Sequence, residues 1–126
     1  MEVLSSRVLL RPLDPERSHR FYGETLGLHI FREYGEGDHR GVVYFTGIGF
    51  LEVSGRAEVP PTLNKALWLQ ERDVDADHDE LVANGVENIP QPRDEPWGLR
   101  EMWIADPDGI RIAIIQVPED HPLRRR

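Results

Sequence analysis

Apolar positions along this chain switch between a period of two and a helical period, and the same order of switches occurs twice. VLLRPL (8–13) predicts a short strand. Asp14-Pro15 follows, a helix-capping residue and then a proline at the first helical position. Phe21, Tyr22, Thr25 and Leu26 recur at helical spacing, and Gly27 stops the helix. HIFREY (29–34), VVYFT (42–46) and FLEV (50–53) predict three further strands, separated by the polar turn GEGDHRG (35–41) and a Gly-Ile-Gly turn. This is a βαβββ module. SGRAEVPPTLNK (54–65) has no periodicity and reads as a connector. The order then restarts. ALWLQE (66–71) is a strand, and Asp73 caps a helix carrying Val74, His78, Leu81 and Val82 on one side and closed by Gly85. A short strand near 86–90, a Pro-rich loop through PWG (96–98), REMWIA (100–105), a DPDG turn and RIAIIQV (111–117) complete a second module.

The predicted class is therefore α+β: one domain over residues 1–121, built from modules 7–54 and 65–117, with a frayed basic tail at 122–126. The matching punctuation, Asp14…Gly27-Leu28 against Asp73…Gly85-Val86, argues for an internal repeat. Strand alternation sorts the side chains into two faces. Val8 and Leu10, Leu51 and Val53, Leu67 and Leu69, and Ile112 and Ile114 form an apolar stripe for the helices. The opposite face takes Arg7, Leu9 and Arg11; Phe50 and Glu52; Ala66, Trp68 and Gln70; Glu101, Trp103 and Ala105; and Arg111, Ala113 and Ile115. Its mixture of aromatic, apolar and a few charged groups suits a curved sheet around a small-molecule pocket.

Composition narrows the chemistry. With no cysteine, disulfides, thiolate metal sites and a cysteine nucleophile are excluded. The formal charge is −8, and Arg124–Arg126 supply three of the positive charges, so the body ahead of them is more acidic still. That balance disfavours nucleic acid and anionic membranes and favours cationic or neutral partners. No apolar run reaches the length of a membrane span, and MEVLSSRVLL is not built like a secretory signal, so a cytoplasmic location is expected. GxGxxG, P-loop, GxSxG and HExxH patterns are all missing.

The phrases DPERSHRFYGETLGL, GIGFLEV, the strand–DVDA–helix–GV run at 66–86, PWGLREMWIADPDG and RIAII resemble the vicinal oxygen chelate superfamily of glyoxalases, extradiol dioxygenases and bleomycin-resistance proteins. The resemblance spans about 7–117 and implies paired βαβββ modules forming a half-open barrel-like sheet, paired across a dimer. It implies, for the members that do chemistry, one divalent metal held by a His or Gln, a Glu, a His and a Glu on four strands. In this chain those positions fall at Arg7, Glu52, Ala66 and Ala113. Only Glu52 could coordinate a metal, so no metal and no cofactor is expected. The five histidines, His19, His29, His39, His78 and His121, read as ordinary surface residues outside the vacant positions.

The bleomycin-resistance branch is the most similar, and it implies a homodimer that binds a bulky drug without a catalytic metal. WLQERDVDA (68–76) places Trp68 where that branch carries a tryptophan. Trp68, Trp103 and Phe50 are then expected to wall a small aromatic or charged ligand, with Leu9 and Gln70 beside them; filling space between subunits is the other reading. Glu52 is open to three roles: a relict metal ligand, an ion pair with Arg7 or Arg111, or a contact or base for the ligand. Arg7, Arg11 and Arg111 together would instead suit an anionic ligand. Trp97 either anchors a loop at the pocket rim or packs on the sheet edge. The expected function is metal-independent small-molecule binding, as in antibiotic sequestration, against the alternative of a glyoxalase- or dioxygenase-type lyase or isomerase with a degenerate metal site.

Overall fold

The computed structural model describes residues 1–124. It divides into two compact units, Met1–Pro61 and Thr62–Arg126, each a four-stranded sheet with a helix. In the first, β1 (Val8–Leu10), β2 (Ile30–Tyr34), β3 (Gly41–Thr46) and β4 (Gly49–Ser54) lie in the order β1-β4-β3-β2. In the second, β5 (Ala66–Glu71), β6 (Arg93–Asp94), β7 (Arg100–Ala105) and β8 (Arg111–Gln116) lie in the order β5-β8-β7-β6. The strand that opens each unit pairs parallel with the strand that closes it, and the other pairs are antiparallel. The repeat read from the sequence is thus a repeat of topology.

In the first unit, α1 (Pro15–Arg20) starts as its sequence dictates. Asp14 is extended and its carboxylate accepts from the Arg17 amide at 3.2 Å, with Pro15 next in line. The helix does not continue regularly to Gly27. Phe21–Thr25 is a π-turn, with the Leu26 amide reaching back to the Phe21 carbonyl at 2.8 Å. The widened turn stands where Gly23 approaches the Tyr44 hydroxyl. Tyr22, Tyr44, Val42, Leu51 and Val53 make the core on the helix side. Val8, expected in that stripe, is half exposed, because β1 is a three-residue edge strand and α1 is only two turns long.

In the second unit, Asp73 caps α2 (Val74–Ala83) through the Ala76 amide at 3.1 Å. The Gln116 side chain on β8 accepts from the Val74 amide at 3.0 Å and pins the helix start to the sheet. Val74, His78 and Leu81 of α2 are buried, as are Met102, Ile104, Ile112 and Ile114 on the strands. The strand expected near 86–90 is not formed. Asn88 adopts a left-handed backbone (φ 57°), and Pro90 and Pro92 remove amide donors, so pairing with β7 starts only at Arg93. The expected frayed tail is corrected in part. Pro122–Arg124 forms a 3₁₀ turn, and the Arg124 side chain donates to the Val117 carbonyl at 2.9 Å. Arg125 and Arg126 lie outside the described residues.

Candidate functional site

On the sheet face away from α1, Glu52 stands on β4 in register with Leu9 on β1 and Val43 on β3. Its Oε1 accepts from Arg7 Nη1 at 2.8 Å, and its Oε2 accepts from the Tyr34 hydroxyl at 2.9 Å and the Ser54 hydroxyl at 3.0 Å. Burial pushes the Glu52 carboxyl up, but the hydrogen bonds from Arg7, Tyr34 and Ser54 together outweigh it and hold the group below its ordinary range. A carboxylate held in this way is a weak proton acceptor, which disfavours the general-base role. Glu52 therefore forms its ion pair with Arg7. Arg111 lies in the second unit and makes no ion pair with any described residue.

The Arg7 guanidinium also lies over the Phe50 ring, 6.0 Å from its centroid. Phe50 is one of three packed rings. Phe31 and Phe50 are 4.9 Å apart, Phe31 and Phe45 5.2 Å, and Phe45 and Phe50 5.6 Å. Phe31 reaches this face through a bulge, because the β2–β3 register shifts between Ile30 and Arg32. Phe31, Phe45, Tyr34 and Ser54 were missed by sequence reasoning. Strict alternation would have flagged Ser54, two residues from Glu52, but nothing in the sequence announces the bulge. Leu9 is exposed on this face. Arg11 is not part of it. β1 ends at Leu10, and the Arg11 side chain lies against Gly55, lining a cleft of 690 Å³ with Leu13, Asp38 and Glu58. The three arginines therefore do not form one cluster.

The second unit carries the tryptophans. Trp68 on β5, Ala113 on β8 and Trp103 on β7 stand in one cross-strand row. Trp68 is 50% exposed and Trp103 37%, while Ala113 between them is 1% exposed. The face expected to be open at Ala113 is instead closed there: Ala113 belongs to a buried cluster with Leu99, Ile115 and Val117. Gln70 and Glu101 flank Ile115 in the next row, and Ala66 and Ala105 flank Arg111 in the row before. Glu101 is buried, and each of its oxygens accepts from a different indole: Oε1 from Trp103 Nε1 at 3.1 Å, Oε2 from Trp97 Nε1. Trp97 is more than half exposed, with its indole tethered to β7 through Glu101. Its backbone is held too. Leu123 N–H donates to His121 Nδ1 at 3.2 Å, which leaves Nε2 to donate to the Trp97 carbonyl at 3.2 Å. The His121 ring also sits where a Cβ on Gly98 (φ +92°) would point.

Two histidine expectations are corrected. His19 and His78 are buried on the sheet-facing sides of their helices, whereas His29 and His39 are exposed. His19 Nδ1 lies 3.4 Å from the Tyr44 hydroxyl, and His78 Nε2 lies 3.4 Å from the Ile89 carbonyl. Burial, with Arg40 adding to it and Glu33 opposing, lowers the His19 pKa and favours the neutral ring.

The donor set does not fit a divalent metal. The first unit offers Glu52, already engaged by three donors, with Arg7 where a neutral donor is needed; the second offers Ala66 and Ala113. Among the described residues no three His, Asp or Glu side chains come together as a candidate metal site.

The sequence model of the Glyoxalase/Bleomycin resistance protein/Dioxygenase superfamily matches residues 5–114. The chain belongs to this superfamily. Its fold is that of solved superfamily members. TnmS3, an antibiotic binding protein from Streptomyces sp. CB03234, is 26% identical with a TM-score of 0.76, over 93% of this chain and 98% of that one. A superfamily member from Sphaerobacter thermophilus DSM 20745 is 25% identical with a TM-score of 0.69, over 92% and 97% of the two chains. TioX from Micromonospora sp. ML1, at 23% identity and a TM-score of 0.72 over 90% and 98%, shares the fold. No curated protein matches the sequence.

Proposed function

We propose that this superfamily member binds a small molecule with aromatic character by stacking, without a metal, in the manner of an antibiotic-sequestering protein. One observation carries the reading: two indoles stand half exposed on either side of a buried methyl group, in one cross-strand row. A flat apolar surface of this kind stabilises a planar ligand by stacking and exclusion of water. Superfamily membership and the likeness to an antibiotic binding protein support it. The residues assigned to ligand binding are Arg7, Leu9, Phe50 and Glu52 on the first unit's own sheet face, and Trp68, Gln70, Trp103 and Arg111 on the second unit's own face. The proposal includes a homodimer, a single domain over residues 1–121 and a cytoplasmic location. Among the described residues no helix is long and apolar enough to cross a membrane.

A thermal-shift screen of planar aromatic compounds tests the reading. Stabilising compounds are expected, and Trp68→Ala should abolish their effect while leaving the ligand-free melting midpoint nearly unchanged, since that side chain is half exposed. Undiminished stabilisation of the Trp68→Ala protein would remove Trp68 from the site. The alternative, a lyase or isomerase of the glyoxalase or dioxygenase type, is favoured by superfamily membership alone. Metal titration separates the two: stoichiometric tight binding of a divalent ion, lost in Glu52→Gln, would establish the alternative.

A further inference from the structure

We infer that the tryptophan face of the second unit selects a planar aromatic anion, with Arg111 supplying the charge contact. This rests on the aromatic-binding reading above and names the ligand class that reading leaves open. Arg111 is exposed at the start of β8, with its guanidinium 5.5 Å from the centroid of the Trp103 ring. The guanidinium makes no hydrogen bond or ion pair with any described residue. Among the described residues the guanidinium meets only the indole, so its five N–H donors have no protein acceptor there and lie beside the stacking surface. Arg7 differs: it is tied to Glu52, and that pair is neutral overall.

The acids near this face do not reverse its sign. Both oxygens of Glu101 accept from indole N–H groups and the residue is buried, so it fixes the planes of Trp97 and Trp103 and acts on an incoming ion through its charge and not by direct contact. Asp106, in the turn before β8, directs its Oδ1 to the amides of Asp108 and Ile110, each at 2.9 Å. The net charge of −8 opposes an anion at long range. That field is screened over about 8 Å at physiological salt, whereas a guanidinium in contact with a carboxylate on the stacked ring is not. The near contact therefore decides the sign. A ligand ring on the indole surface would place a carboxylate, sulfonate or phenolate within reach of the fork geometry of Arg111.

Three probes sharing one ring system test this: 2-naphthoate, 2-naphthalenemethanol and 2-naphthylmethylammonium, titrated calorimetrically into the full chain at physiological salt. Naphthoate is expected to bind about tenfold more tightly than the alcohol, as one charge-assisted contact provides, with the ammonium compound weakest. Arg111→Gln should bring naphthoate down to the level of the alcohol measured on the same variant. Arg111 is exposed, so the variant should fold, and an unchanged melting midpoint checks that it has. Ammonium binding equal to or tighter than naphthoate, or an undiminished preference for naphthoate in Arg111→Gln, overturns the inference and leaves aromatic binding standing. Silence from all three probes removes the aromatic-binding reading, and this inference with it.

Discussion

Ala113 shows how one residue changes the chemistry open to a sheet. By family position a carboxylate is expected there, and the structure holds a methyl group with almost no solvent contact, in register between Trp68 and Trp103. A glutamate at this position would have to lose its hydration among Leu99, Ile115 and Val117. Ala113→Glu is therefore expected to lower stability by on the order of 3 kcal/mol, read as a fall in the urea midpoint. A variant as stable as the wild type would mean that the row is not closed as described. Glu52 is the opposite case. Three donors surround it, so its charge persists at neutral pH and its lone pairs are largely used. The identity of residue 52 predicts a metal ligand or a base; its hydrogen bonds make it a structural anion.

At the scale of elements, small irregularities place the functional groups. The bulge in β2 turns Phe31 onto the face of Phe45 and Phe50. The loop before β7 carries Trp97, fixed through its indole by Glu101 and through its carbonyl by His121. The acidic helix α2 has an electrostatic cost. Burial, followed by the charges of Glu71, Glu80 and Asp73, pushes the Asp77 carboxyl up from 3.8 to about 6, and its Oδ2 is buried with no partner in the structure. The folded state therefore binds this proton more readily than the unfolded chain. The resulting stabilisation is complete below pH 4 and is lost as pH rises through 6. Asp77→Asn should raise stability at pH 7 by about 1 kcal/mol, a figure reduced for partial solvent screening. The gain should shrink as pH falls through 6 and vanish near 4, as followed by thermal unfolding across that range. A gain independent of pH would assign the effect to something other than this carboxyl.

At the scale of the molecule, two units of the same topology carry different surfaces away from their helices: phenylalanines with a paired arginine in the first, tryptophans with an unpaired arginine in the second. Leu9, Phe31, Phe45 and Ile48 are exposed apolar side chains of the first unit. The proposed homodimer would cover such surface. Sedimentation equilibrium should give the mass of two chains, and a Phe31→Glu, Phe45→Glu variant should sediment as one chain with its secondary structure retained. A wild-type protein sedimenting as a single chain at all concentrations would overturn the dimer.

Local order was legible in the sequence because its physics is local. The caps at Asp14 and Asp73, the stops at Gly27 and Gly85 and the period-two strands each involve residues a few positions apart, and they were enough for two βαβββ units, while the superfamily came from the resemblance of whole phrases. The lack of donors at Ala66 and Ala113 is likewise a matter of side-chain identity. Tertiary structure decided what depends on partners distant in the chain. Glu52 takes Arg7, 45 residues earlier; Ala113 is closed off by strands 45 and 10 residues away; Trp97 is held by His121; and Arg11, two residues beyond Leu9, leaves the face altogether. Alternation assigns a side chain to a face, but register, bulges and the ends of strands determine which groups meet on it and whether solvent reaches them.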